Sequence, residues 1–160
     1  MPTIYHPTPI GIARIREDEG FISSLIVRDS ADGENDEPTP LLLEAARQLD
    51  EYFAGTLKEF TFPIKQPGSD FQQGVWDCLL KIPYGKTISY LQQSKQMNNP
   101  LAIRAIASTN GKNDLAIVVP CHRVIGSDGS LTGYAGGLWR KKWLLEHEAK
   151  VLGVGQTKLF

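Results

Sequence analysis

Residues 89–111, SYLQQSKQMNNPLAIRAIASTNG, hold two helix-forming runs on either side of a tight turn. Ser89 is a helix-capping residue type, so a short helix is expected over YLQQSKQM. Asn98-Asn99-Pro100 is a turn signal, after which LAIRAIASTNG resumes helical spacing and stops near Gly111. Two short helices joined this way read as a helix-turn-helix, with the second helix the one that enters a groove. Ala102, Ala105, Ala107 and Ser108 are small enough for close approach to a nucleic-acid backbone, and Arg104 is the one strong charge in the first two turns. An ordinary helical hairpin, its small residues packed on a neighbour, fits the same letters.

Upstream, Ser69-Asp70-Phe71-Gln72 forms a capping box, with Ser69 as N-cap and Gln72 three residues on. The helix it opens is expected to bury Phe71, Val75, Trp76, Leu79 and Cys78 and to end at Pro83-Tyr84-Gly85. The preceding KQPGS (65–69) gathers Pro, Gly and Ser, and there the chain divides into lobes 1–66 and 67–160. In the first lobe PIGIARIR and FISSLIVR read as a hairpin joined through Asp18-Glu19-Gly20. Residues 29–39 are acidic and rich in turn formers. A helix should follow Thr39, with Pro40 first and Gly55 past its end, and its apolar positions Leu42, Ala45, Ala46, Leu49, Tyr52 and Phe53 keep helical spacing. FTFPI (60–64) is a short strand or an extended entry to the linker.

Downstream, IVVPCHRV (117–124) reads as a buried extended segment in which Pro120 ends regular pairing. On an extended chain Cys121 and His122 point to opposite faces, so a proton passes between them only through a water or a bent backbone. Two readings stay open on these residues: a cysteine nucleophile with a histidine base, or a cysteine buried in the core. GYAGG (133–137) is poor in side chains and suits a pocket wall lying against a flat ligand. The last helix, LWRKKWLLEHEAK, carries Arg140-Lys141-Lys142 and the apolar set Leu138, Trp139, Trp143 and Leu144. Glu146 and Glu148 fall near its C-terminal end, where the helix dipole disfavours carboxylates, a signal that one of them has a partner.

Composition narrows the class. Hydrophobic residues make up 41% and charged residues 22%, which is globular, and no run is long enough to span a membrane. MPTIYHPTPIGIARIR (1–16) lacks the basic region and apolar block of a secretion signal, and Cys78 and Cys121 alone make no disulfide framework, so a reducing, cytoplasmic setting is expected. Residues 1–66 hold 12 acidic and 6 basic side chains, residues 67–160 hold 6 and 11. A basic second lobe fits phosphates, although uneven charge is more often only solvated surface. The cysteines and histidines lack zinc-ligand spacing, and no phosphate-binding glycine loop is present. An adjacent Cys-His pair also departs from the cysteine-protease signatures.

PCHRV (120–124) followed by IGSDGSLTGYAGGLWRKKWLLEHE resembles the O6-alkylguanine-DNA alkyltransferases, and the similarity runs back through IRAIASTNGKN, PYGKTISY and FQQGVW to about residue 70. The N-terminal lobe resembles that family only in length, hairpin and helix. The resemblance implies an α/β protein: a small sheet-plus-helix, ribonuclease H-like lobe, then a mostly helical, winged-helix-like DNA-binding lobe. It implies irreversible transfer of the alkyl group from O6-alkylguanine to Cys121, with O4-alkylthymine left open as a second substrate. His122 then matches the residue that takes the thiol proton through a water, and Glu148 the carboxylate that orients it. Tyr90 matches the tyrosine that presses on the phosphate to rotate the target nucleotide, and Arg104 the arginine that replaces the flipped base. Asn113 matches an asparagine bracing the helix-turn-helix against the active-site segment. Tyr134 matches the tyrosine over the guanine pocket, with Ala135 beside it where some members carry serine. The implied partner is double-stranded DNA bound in the minor groove by a monomer, without metal or cofactor. Asp114 stands where the family usually has proline, and Thr109 where alanine is common. Two rivals are a lesion sensor that binds without transfer, which lacks the acceptor cysteine, and a DNA-binding regulator with a structural cysteine.

Overall fold

Strands β1 (Thr3–Thr8), β2 (Gly11–Asp18) and β3 (Phe21–Arg28) form an antiparallel meander in the order β1-β2-β3, in a computed structural model that describes residues 1–153. Asp18 pairs with Phe21, and Glu19 and Gly20 between them both have positive φ, 49° and 84°. Those angles belong to the two-residue turn whose twist suits a hairpin. Ala13, Ile15, Ile22 and Leu25 are fully buried, alternating with more exposed neighbours as one covered sheet face requires. The sheet has one strand more than the hairpin expected: β1, TIYHPT, carries too few apolar residues and a Pro7 to read as a strand, yet pairs along its whole length with β2.

Helix α1 (Pro40–Ala54) covers the buried face with Leu42, Ala45, Leu49 and Tyr52. Thr39 Oγ1 accepts from Leu42 N at 3.1 Å, Pro40 takes the first position, and Gly55 closes the helix at φ 84°. The acidic segment is tied to the β1 edge: Asp36 and Thr3 exchange bonds of 2.8 and 2.9 Å, and Asn35 accepts from Tyr5 N at 2.7 Å. A strand edge is thereby covered by polar chain rather than left open for pairing. Of FTFPI, Ile64 makes a single parallel bridge to Ile22.

The chain forms two compact units: Met1–Gln66 with Asp114–Val118, and Pro67–Asn113 with the residues from Val119 on. Residues 114–118 thus join the first unit, which a single cut at 66 does not describe. Leu25 N donates to Asp114 O at 2.8 Å and Ala116 N to Leu25 O at 2.9 Å, adding this short stretch to the β3 edge. Asp114 N donates to Gln66 Oε1 at 3.0 Å, a bond that proline at this position could not make.

The second unit contains α2 (Asp70–Leu80), α3 (Tyr90–Gln96), α4 (Ile103–Gly111) and α5 (Leu138–Leu152), with a two-strand parallel pairing of β4 (Ile88–Ser89) and β5 (Val124–Ile125). Both expected caps form: Ser69 with Gln72, and Ser89 with Gln92, each as a reciprocal box. Gln93 and Asn110 exchange two buried amide bonds of 3.0 and 2.8 Å, fixing α3 against α4. Phe71, expected in the core, is half-buried because it lies in the first turn of α2, while Val75, Trp76, Cys78 and Leu79 are buried. Leu138 and Trp139 are exposed at the start of α5, and Trp139 lies 4.5 Å from the Arg140 guanidinium. No helix among the described residues is long and apolar enough to cross a membrane.

Candidate active site

The segment read as extended is in fact bent twice, and the bends aim Cys121. Ile117 has φ 73°, and Val118 N donates to Ala116 O at 2.8 Å, a γ-turn in a conformation that branched residues rarely enter. Pro120 (φ −83°, ψ 65°) centres an inverse γ-turn in which Cys121 N donates to Val119 O at 2.8 Å. One turn of 3₁₀ helix, Cys121–Arg123, follows directly. Branched residues such as Ile117, Val118 and Val119 favour strands, but burial of all three holds them in this tighter path.

Behind Cys121 lies a buried charged cluster. His122 Nε2 donates to Glu148 Oε2 at 2.7 Å, Arg123 Nε to Glu148 Oε1 at 2.9 Å, and Arg123 Nη2 to Glu148 Oε2 at 3.0 Å. Gly85 N donates to Glu148 Oε1 at 3.0 Å, and Arg123 Nη1 to Ile82 O at 2.8 Å. Gly85 has φ 76°, and a methyl there would stand 2.1 Å from Leu152 Cδ1, so the donor to Glu148 depends on glycine. Burial pushes the Glu148 carboxyl up, but His122 and Arg123 outweigh it and hold the group well below the usual carboxylate range. Burial pushes His122 below 6.5 against the pull of Glu148, so the imidazole is neutral. An ionised Glu148 only accepts, which puts the single ring proton on Nε2. Nδ1 is buried and has no hydrogen-bond partner among the described residues.

Asn113 Nδ2 donates to Val119 O at 2.8 Å and lies 3.5 Å from Cys121 Sγ. It therefore braces the cysteine turn from the end of the helix-turn-helix. Burial pushes the Cys121 thiol up, and the Asn113 contact and the Lys141 ammonium pull it back. Lys141 is fully buried, and burial pushes it down to about 8. Its Nζ donates to Thr132 O at 2.8 Å and approaches Gly133 O at 3.5 Å, pinning the glycine-rich loop.

Cys121 opens onto a cavity of about 500 Å3 that Tyr90, Arg104, Thr132, Tyr134 and Ala135 also line. Burial, then the nearness of Cys121, pushes the Tyr134 phenol well up, so it stays a proton donor. Arg104 is exposed on α4. The structure thus brings Tyr90, Arg104, Cys121, Tyr134 and Ala135 around one space and stacks His122, Glu148 and Asn113 behind the cysteine. Thr109 turns inward instead: its Oγ1 donates to Ala105 O at 2.9 Å and it is buried, so it makes no groove contact. Lys141 carries no signal in the sequence, where it sits in a basic run that looks like solvated surface. Glu148 had a signal in its helix position, and the other glutamate, Glu146, instead pairs with exposed Lys142 at 3.7 Å.

In chemical terms the site sets a thiol next in sequence to a neutral imidazole, with the thiol opening onto a cavity lined by residues of the helix-turn-helix. Residues 70–150 match the 6-O-methylguanine DNA methyltransferase DNA-binding domain, and residues 5–66 the ribonuclease-like domain of the same proteins. The constitutive methylated-DNA–protein-cysteine methyltransferase of Bacillus subtilis is 44% identical over 137 residues, covering 81% of this chain and 83% of its own. The corresponding Mycobacterium bovis protein is 55% identical over 104 residues, 65% of this chain and 63% of its own. Mycobacterium tuberculosis OGT, solved in complex with DNA, superposes with a TM-score of 0.85 at 42% identity, covering 93% of each chain. The chain belongs to the 6-O-methylguanine DNA methyltransferase family.

Proposed function

We propose that this protein repairs DNA by direct reversal, moving the alkyl group of O6-alkylguanine irreversibly onto Cys121 as a methylated-DNA–protein-cysteine methyltransferase. One observation carries the reading: the thiol lies in the wall of a cavity shared with Tyr90, Arg104 and Tyr134, while the adjacent His122 is held through Nε2 by Glu148 at 2.7 Å, which turns Nδ1 into the accepting nitrogen. A thiolate attacks carbon far better than a thiol, and burial alone would keep Cys121 protonated. His122 Nδ1 takes the thiol proton through a water, and Glu148 and Arg123 hold the ring in the tautomer that can accept it.

Sulfur then bonds the alkyl carbon as the carbon–O6 bond breaks, and the electron pair passes to the guanine. Tyr134, held as a neutral phenol, donates a hydrogen bond where that charge develops. The reacting carbon is inaccessible in a stacked duplex, so the nucleotide must rotate out, at a cost of roughly a few kcal/mol. Arg104, exposed on α4 at the rim, fills the gap and offsets part of that cost, and Tyr90 bears on the phosphate. The thioether has no good leaving group, so each molecule acts once. Binding to phosphates with few base contacts suits a protein that scans, and the cytoplasm keeps Cys121 reduced.

Cys121→Ala tests the reading. Binding to a duplex with O6-methylguanine should persist by gel shift while the lesion stays intact on digestion of the DNA. Lesion loss catalysed by Cys121→Ala, or lesion binding no tighter than binding to an unmodified duplex, would contradict it.

A further inference from the structure

Tyr90 is held at the cavity rim from two sides. It is the first residue of α3, its backbone set by the Ser89 cap and by β4 pairing with β5. Its phenol oxygen accepts from Thr132 Oγ1 at 3.1 Å, and the Lys141 ammonium stands 6.0 Å from its ring centroid. Thr132 in turn is anchored through its own carbonyl, which accepts from buried Lys141 Nζ at 2.8 Å. A buried cation therefore fixes the backbone of Thr132, and its hydroxyl reaches across the cavity mouth to α3.

We propose that Thr132 is a positioning residue for Tyr90, a role that rests on the repair reading above. The threonine hydroxyl donates, so the phenol keeps its own proton for a phosphate oxygen of the target nucleotide. A hydroxyl that already accepts one hydrogen bond is polarised toward donating another. The tie also confines the ring to one direction before DNA arrives, so less side-chain freedom is lost on binding. The effect is confined to steps that involve the DNA backbone; a free base entering the cavity has no phosphate for Tyr90 to engage.

Single-turnover transfer is measured from O6-methylguanine in a duplex and from O6-benzylguanine as a free base. Thr132→Val keeps the shape of the side chain and removes the donor, and the ratio of duplex to free-base rates should fall about fivefold, the size of one modest hydrogen bond. Thr132→Ser should restore the ratio. In a Tyr90→Phe background Thr132→Val should leave the ratio where Tyr90→Phe alone puts it, since the two act as one unit. Equal loss on both substrates would make Thr132 a mere wall of the cavity and overturn the proposal. A further fall of the ratio in the Tyr90→Phe background, or a ratio unmoved by Thr132→Val, would overturn it as well. Failure of the unaltered protein to transfer either group would instead sink the repair reading itself.

Discussion

The first unit restricts its buried polar residues to Thr3, Gln48 and Gln66, whereas the second encloses His122, Arg123, Arg140, Lys141 and Glu148. In the first, the charge pairs stay at the surface: Arg47 pairs with Glu44 and Glu51 on the outer face of α1. Such pairs contribute little to stability. In the second, Arg123 and Glu148 pair at 2.9 Å, so removing either one strands the other's charge in the interior. The first unit's interior holds a sheet and a helix together, and the second unit's encloses the carboxylate that holds the His122 ring. A purely apolar interior would serve stability as well as or better than the Arg123–Glu148 pair, so on the proposed repair reading that pair serves the chemistry at Cys121.

Glu148→Ala should sharpen that contrast most. It leaves Arg123 buried without its carboxylate and frees the His122 ring, so stability should drop by about 3–5 kcal/mol in urea titrations. Transfer by the folded fraction should slow by roughly 10²-fold, the usual worth of a positioned base. A loss of stability alone would break the comparison. Leu49→Ala, in the apolar core of the first unit, should cost about 2–5 kcal/mol. There the transfer rate per folded molecule should stay unchanged, which single-turnover kinetics at low temperature would check.

The effect of pH is the next in size. An unfolded histidine takes a proton near 6.5, while buried His122 stays neutral below that value. Below pH 6.5 the unfolded chain therefore binds more protons, and stability falls as pH falls. Glu148, ionised in the fold well below its ordinary 4.5, adds a second decline in the same direction at lower pH. Thermal midpoints between pH 8 and pH 5 should show the first decline, and His122→Gln should flatten it. A midpoint that rises on acidification would contradict the neutral histidine. The smallest effect should be shared by both units: Thr39→Ala and Ser69→Ala each remove an N-cap acceptor and should cost about 1 kcal/mol with no change in transfer rate.

Where local chemistry decides conformation, the sequence is readable. Thr39-Pro40 and Gly55 delimit α1, Ser69 with Gln72 opens α2, and Ser89 opens α3, because a cap is settled within four residues. Strand β1 is hidden because its partner, not its composition, makes it a strand. The turn at Ile117 is invisible for the opposite reason: branched residues favour extended chain, and only burial and the bonds of Leu25 and Asn113 override them. Within the site, Cys121 and His122 announce themselves by adjacency and Glu148 by its misplacement against the helix dipole. Lys141 does not, since nothing in a run of three basic residues tells which one turns inward.

The central claim is that Cys121 is the acceptor, and intact mass measures it directly. The protein is incubated with an excess of duplex carrying O6-methylguanine, then weighed whole and after digestion. The account predicts a gain of one methyl per chain, confined to the peptide holding Cys121 and no larger with longer incubation. An unchanged mass with the lesion still bound would make the protein a sensor and contradict the account, as would a methyl found on any other residue.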